Sequence, residues 1–528
     1  MFVLVIIYKG MDGRKYPIGI QNFEKLRQEG YYYVDKTALV YRLANTGNYY
    51  FLSRPRRFGK SLLISTLEAY FQGKRDLFKG LAIEKLESQW TEYPVVHFDL
   101  NAKRYVSEQA LLEILNQYLE IYEALYGDEK KDRSPEERFA YIIRRAYEKT
   151  GNRVVILMDE YDKPMLQTIG MPELQEAYRG ILKAFYGVLK SMDGYIRFAF
   201  LTGVTMFGKV SVFSDLNNLI DISMRREYVD VCGITERELL DNFEPDIRSL
   251  AEASQMTYED TLAKLRTDYD GYHFCENSPG LYNPFSLLNT FISNEFGSYW
   301  FATGTPTYLV ELLKLHHYNL HQMSQEETTA EVLNSVDSMS TDPIPVIYQS
   351  GYLTIKEYDS EFGIYRLGFP NREVEEGFIK FLLPFYTSIQ ESKTNFEIGR
   401  FVTDVRKGDC DGFLCRLQSL LADTSYEQIK RDQEVHYQNV LFIITKLMGF
   451  YVKAEYHTSN GRVDLVLKTD RYIYVMEFKL DGTAEEALKQ INGKGYALPF
   501  ATDGRTLYKV GVNFSSETRS IERWIVEE

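Results

Sequence analysis

The sequence predicts an α/β protein: a parallel sheet with flanking helices, then a mostly helical middle, then a small C-terminal α/β unit. Three observations carry this. The first two-fifths of the chain alternate short apolar runs with helical stretches. The middle, about Thr235 to Ser392, carries helical patterns broken by Gly/Pro/Asn turns. From about Gly408, helices give way to the alternation of strands. A chain of 528 residues exceeds one core, so two to four domains are expected; the boundaries read as 1–234, 235–407 and 408–528.

The early runs are YYFLS (49–53), PVVHFDL (94–100), RVVILMD (153–159) and YIRFAFLTG (195–203). Near-continuous β-branched and aromatic runs separated by helices indicate parallel strands covered on both faces. In the middle, TERELLDNF and YLVELLKLHHYNLHQM read as helices and CENSPGLYNPFS as turns. IYQSGYLTIKEYDSEFGIYRLGFPNREV reads as a hairpin turning near Asp359 to Gly363. The last part is helical through Met448, followed by VDLVLK, a turn at TDR, the strand YIYVMEFK, a helix at TAEEALKQING and a final strand YKVGVNF. The apolar run Phe2 to Ile7 is too short to span a bilayer and lacks the marks of a signal peptide. It reads as a β-strand or as an upstream extension, because Met11 is an equally good start.

Tyr (41) and Phe (32) are plentiful, so aromatic-rich cores are expected. The formal net charge of -14 argues against a generally basic nucleic-acid coat and leaves room for a local basic groove. The four cysteines show no C-x-x-C spacing and no nearby His pair. That argues against a zinc or disulfide scaffold and fits a reducing cytoplasm. No later segment is apolar for long enough to cross a membrane.

YYFLSRPRRFGKSLLIST (49–66) ends like a phosphate-binding loop, with Gly59-Lys60-Ser61 opening a helix after an apolar strand. The pattern G-x-x-x-x-G-K-[ST] asks for glycine where this chain has Arg54. Arg54-Pro55 can make the same exit from the strand if its torsions are ordinary. Backbone amides of such a loop wrap phosphates, the lysine reaches the β/γ-phosphates, and the next hydroxyl ligates Mg2+. Arg54, Arg56 and Arg57 add positive charge, and Phe58 and Leu62 complete the expected ATP-binding stretch. About 100 residues on, RVVILMDEYD ends an apolar strand in Asp159-Glu160. Asp159 is expected to hold magnesium, and Glu160 to polarise the attacking water as general base, with Asp162 the next candidate. Thr202 ends the following strand, placed to sense the γ-phosphate. Arg225 and Arg226 read equally as an arginine finger or a solvated pair.

At the other end, GRVDLVLKTDRYIYVMEFKLDG places Glu477 and Lys479 on one strand face and Met476 and Phe478 on the other. Asp464 lies on the preceding strand, so the hairpin can bring all three together. Mg2+-dependent phosphodiester hydrolysis needs carboxylates for the metal and a cation near the water. Glu434 sits on an upstream amphipathic helix and Gln490 on the following one. Asp, then E-x-K, is the PD-(D/E)xK nuclease pattern, with Asp464 and Glu477 holding Mg2+ (or Mn2+). A carboxylate closing a buried run needs a partner or a metal.

Over nearly its whole length the chain resembles bacterial AAA-ATPase-like proteins with a C-terminal PD-(D/E)xK nuclease domain. PIGIQNFEKLRQEGYYYVDKT (17–37), FLSRPRRFGKSLLISTLEAYFQGK (51–74), VILMDEYDKP (155–164), YDGYHF (269–274), YNPFSLLN (282–289), GRVDLVLKTDRYIYVMEFKLDGTAEEALKQI and GYALPFATDGR carry the resemblance. It implies a P-loop NTPase sheet and a restriction-endonuclease-like C-terminal domain, and it implies that the R-P-R-R-F-G-K-S loop is the family's own. Asp35 and Lys36 in YVDKT either lie near the nucleotide or form a structural turn. The leading expectation is an ATP-driven nuclease acting on DNA or RNA, with defence against phage or mobile elements as a setting and a homo-oligomer compatible with it. A switch ATPase that binds nucleic acid or a partner without cutting is the alternative, and a non-enzymatic interaction protein with structural nucleotide the third. Residues 431–528 carry 13 Lys+Arg against 14 Asp+Glu, a balance that keeps the second reading open.

Overall fold

The computed structural model describes residues 14–206, 218–301, 307–316, 318–333, 342–422, 433–449, 451–456, 463–518 and 520–528. The apolar run at 2–7 lies outside them. The chain divides into two compact units, Met1–Glu311 with Glu327–Glu373, and Leu312–Glu326 with Val374–Glu528. The segment expected as one middle domain is therefore shared: most of it belongs to the first unit, while 312–326 and the stretch from Val374 belong to the second.

In the first unit β1 (Tyr49–Ser53), β2 (Val95–Asp99), β3 (Val154–Asp159), β4 (Ile196–Gly203) and β5 (Ile220–Asp221) form one parallel sheet in the order β2-β3-β4-β1-β5. Every residue of β1 and β3 is buried, and all of β4 but Arg197. Apolar runs without alternation form such strands because helices cover both faces. β6 (Ile234–Thr235) pairs with β7 (Leu281–Tyr282), and Thr235 and Glu238 cap the Glu236–Ala253 helix reciprocally. The expected hairpin is present as β9 (Thr354–Asp359) and β10 (Ile364–Gly368), with β8 (Glu327–Thr329) as a third strand.

The second unit holds β11 (Lys453–Tyr456), β12 (Leu465–Lys468), β13 (Tyr472–Leu480), β14 (Thr506–Ser515) and β15 (Ser520–Glu527), side by side in that order. Only β13 and β14 run parallel; the other pairs are antiparallel. The Ala484–Gly493 helix makes the crossover that a parallel pair requires. It covers the face that carries Val466, Ile473 and Val475, joined by Ile491 and Ala497. On the other face Tyr474 donates its hydroxyl to Val405 O at 2.7 Å, and the Tyr437 ring stacks on Phe514. The segment 312–326 is bound in as well: Leu320 N donates to Asn439 Oδ1 (2.8 Å), and Asn439 Nδ2 donates back to Tyr318 O (3.0 Å).

The crossover helix presses on β14 at Gly511, where a Cβ would lie 2.2 Å from Ala484 O and 2.7 Å from Leu488 N. Those are backbone atoms, so the helix would have to move. Gly511→Ala should cost about 1–3 kcal/mol, as overpacking does, read as a lower midpoint in chemical denaturation with an unchanged slope.

Candidate functional site

Parallel register brings the carboxyl ends of β1, β4 and β3 level: Ser53 lies beside Gly203, and Met158 beside Leu201. Ligands of open parallel sheets bind at such ends, where the strand order reverses. The chain leaves β1 through Arg54, which has negative φ and does not need glycine; the left-handed positions are Arg57 (φ 66°) and Gly59 (φ 97°). Gly59 opens the Lys60–Phe71 helix. Around the loop lies a cavity of about 650 Å³, lined by Arg56, Arg57, Gly59, Lys60, Ser61 and Leu62, with Glu160 opposite.

Lys60 is 4% exposed, and its ammonium donates to Arg54 O (3.0 Å) and Pro55 O (3.3 Å) and lies 3.4 Å from Glu160 Oε1. Among the described residues, beyond its chain neighbours and the adjoining helix backbone, no heavy atom lies within 4 Å of the Cβ that Gly59 lacks, so the space beside the helix N-terminus is open. A buried cation, first-turn amides and open room beside them fit a polyphosphate. Glu160 also has positive φ (53°); strain of this kind gathers at working sites.

Other expected residues lie elsewhere. The Arg54 guanidinium is buried, donating to Ser53 O, Ser223 O, Tyr228 O and Val229 O, with the Phe274 ring 4.0 Å away. Its charge is committed to carbonyls and does not enter the cavity wall. Pro55 packs on Gly351, and Phe58 on Tyr272 and Phe274. Asp159 and Thr202 are buried and joined at 2.6 Å, and neither lines the cavity. Asp162 is fully buried, and its Oδ2 accepts from Val204 N, Thr205 N and Thr205 Oγ1. Burial, then the charge of Glu160, pushes its carboxyl up to about 7. Asp35 caps Thr37 and accepts from Ala82 N, while Lys36 pairs with Glu238, so YVDKT is a structural turn. Arg225 and Arg226 are exposed, and Arg226 donates to Glu276 O. Sequence reasoning missed the far wall, which Ile18, Phe285, Leu288 and Tyr352 help to form. PIGIQ and YNPFSLLN contain the first three, so the signal was present in those stretches.

In the second unit, Glu477 and Lys479 share a face, as alternation requires. Glu477 is 2% exposed; its Oε1 accepts from Lys479 Nζ at 3.1 Å and from Gln490 Nε2. Asp464 Oδ2 accepts from Phe478 N at 2.8 Å, at the same end of the hairpin. Glu477 Oε2 is buried without a partner. An unsatisfied buried carboxylate oxygen beside a second carboxyl fits a cation. The side chain of Glu434 lies outside the described residues. Among the described residues no group of three His, Cys, Asp or Glu is placed to hold a metal.

A helix-opening loop around a buried lysine, faced by an acidic strand end, has the form of a phosphate-binding loop. A hairpin Asp with E-x-K on the next strand defines a PD-(D/E)XK core. A family model of a predicted AAA-ATPase matches residues 17–213, and one of the PD-(D/E)XK nuclease superfamily matches 432–524. A protein described as "Uncharacterized protein in vnfD 5'region", from Azotobacter chroococcum mcd 1, is 34% identical over 527 residues, 98% of this chain and 99% of that protein. The chain belongs to this family of AAA-ATPase-like proteins with a C-terminal PD-(D/E)XK nuclease superfamily domain. The Aeropyrum pernix ORC2 protein, solved as ADPNP-ADP complexes, is 12% identical with a TM-score of 0.24, over 63% of this chain and 88% of that one. Among the described residues no helix is long and apolar enough to cross a membrane.

Burial, chiefly, and then the charge of Glu477 push the Asp464 carboxyl from 3.8 up to about 7, against the Phe478 N–H and Lys479. The folded state therefore holds a proton that the unfolded chain has already released between these values. Stability falls as pH rises from about 4 to 7 and levels off above. Denaturation in chelator across pH 4–8 should show a shallower fall in Asp464→Asn than in the wild type, the remainder coming from Asp162 and Glu373, which burial also pushes up to about 7.

Proposed function

We propose that the chain binds and hydrolyses ATP with Mg2+ in the first unit, and that the second unit cuts DNA or RNA phosphodiesters with Mg2+ or Mn2+, the nucleotide state gating the cut. One observation carries the reading: a single cavity collects the buried Lys60, Ser61 at the helix N-terminus and Glu160 at 3.4 Å from the lysine. Lys60 serves the β/γ-phosphates, Ser61 ligates the metal from the cavity wall, and Asp159, which does not line the cavity, holds it through water. Thr202 fixes Asp159, and Glu160 takes the proton of the attacking water. When bound, Mg2+ would supply charge neutralisation on the phosphates.

In the second unit Asp464 and Glu477 hold the metal, Lys479 orients the water, and Gln490 fixes the Glu477 carboxylate. Glu434 supplies a further metal or water contact. The cellular setting proposed is the cytoplasm and defence against phage or mobile elements, with self-association of the chain compatible with both activities.

Lys60→Ala should abolish ATP binding measured by titration of a fluorescent analogue. Glu160→Gln should keep ATP bound and slow turnover by orders of magnitude, because an amide accepts no proton.

For the second unit, Asp464→Ala or Lys479→Ala should end cleavage of labelled DNA or RNA with the melting transition retained. A wild type that cuts neither under any nucleotide or metal condition would instead favour a switch ATPase.

A further inference from the structure

Four cations line the cavity: Arg56, Arg57, Lys60 and Lys163. Two are already engaged. Lys60 lies against Glu160, and Lys163 donates to Asn101. The two arginines differ. Among the described residues neither meets a carboxylate; each is held instead against an aromatic face. The Arg56 guanidinium lies 4.9 Å from the centre of the Trp300 ring, and Trp300 Nε1 donates back to Arg56 O at 3.1 Å. Arg56 Nε is buried without a hydrogen-bond partner. The Arg57 guanidinium lies 4.9 Å from the centre of the Phe285 ring, on a backbone with φ 66°.

An aromatic face steadies a guanidinium without neutralising it. It leaves guanidinium donors open to a phosphate, which a carboxylate partner would not; the one side-chain hydrogen bond at either fork is long, from Arg56 Nη2 to the Tyr352 hydroxyl at 3.5 Å among the described residues. The left-handed φ of Arg57 is a strained conformation for a non-glycine residue, which the loop tolerates in placing that side chain in the cavity wall. Arg54 in the same R-P-R-R run is consumed by carbonyls, so the run divides its labour between anchor and cavity.

We propose that Arg56 and Arg57 act as built-in arginine fingers: they bind the γ-phosphoryl oxygens and stabilise charge as the bond breaks, so that one copy of the chain completes its own hydrolytic site. The inference rests on the nucleotide reading above. In the step, water oxygen attacks the γ-phosphorus, and the bond to the β–γ bridging oxygen breaks with its electron pair leaving on ADP. The water proton passes to Glu160 and then to solvent, and the products are ADP and inorganic phosphate. The exposed Arg225 and Arg226 take no part, and no arginine from a second copy is needed.

The test compares wild type, Arg57→Ala, Arg56→Lys, and Arg225→Ala with Arg226→Ala, each checked by thermal melting. Affinities for fluorescent ATP and ADP and ATP turnover over a hundredfold range of protein concentration are measured for each. Arg57→Ala should lower kcat at least about 1,000-fold, the lower end of the range arginine fingers contribute, and remove the preference for ATP over ADP while ADP affinity changes less than about threefold. Arg56→Lys, which keeps the charge and loses the fork, should show the same pattern more weakly. Wild-type specific activity should not depend on protein concentration, and the Arg225/Arg226 variant should match it. Specific activity that rises with concentration, or loss of turnover in Arg225→Ala/Arg226→Ala with retention in Arg57→Ala, overturns the inference. So does an unchanged ATP-over-ADP preference in Arg57→Ala, a readout that holds even if turnover is absent. A wild type that binds no nucleotide overturns the ATP reading itself, and this inference with it.

Discussion

A buried guanidinium sets the geometry of the nucleotide loop. Arg54 stands at the exit from β1, where a more familiar phosphate loop has glycine, and is 1% exposed. Burial lowers its pKa from the ordinary value, and the charge of Asp221 offsets this only in part; backbone carbonyls at 53, 223, 228 and 229 take its donors. Hydrogen bonds to a charged group are worth more than neutral ones, and leaving those acceptors unpaired would be costly. The neighbouring residues inherit that fixed start. Pro55 meets Gly351, Phe58 lies edge-on to Tyr272, and the Arg54 and Pro55 carbonyls turn onto the Lys60 ammonium.

The two sites solve a similar electrostatic problem. In each, a buried or half-buried carboxylate stands beside a lysine: Glu160 by Lys60 at 3.4 Å, and Glu477 by Lys479 at 3.1 Å. The difference lies in what holds the acid. Glu160 sits on a strained backbone after a strand end, with 18% of its side chain exposed. Glu477 sits within a strand, nearly fully buried, and is held from the helix by Gln490. Gly511 lies beside Glu477 in register and admits the helix that brings Gln490 to it. One acid is placed by backbone conformation and the other by packing.

Strong patterns made most of the fold legible. YYFLS became β1 without a residue's error, and RVVILMD and YIRFAFLTG became β3 and β4 to within a residue, because runs without alternation have few alternatives inside an α/β core. Alternation alone put Glu477 and Lys479 on one face. Weak patterns failed: KAEY and SIERWIVE gave no clear signal, yet form the edge strands β11 and β15, where neighbours rather than propensity decide. The role of Arg54 was not legible either. Charge beside a phosphate loop suggests phosphate, and only the positions of Ser223, Tyr228 and Val229 show that carbonyls claim it first. The hydrogen bonds of Asp162 to Val204 and Thr205 are equally beyond local reading.

The second unit is not a single run of sequence: 312–326 belongs to it, and the chain returns only at Val374. A C-terminal fragment beginning at 374 or at 408 would lack Tyr318 and Leu320, and would strand the Asn439 amide, which is 2% exposed, without either of those partners. Aggregation or inactivity of such a fragment would therefore say little about the chemistry of Asp464 and Glu477. A faithful excision has to carry 312–326 along, by circular rearrangement of the chain or by coexpression of the missing piece.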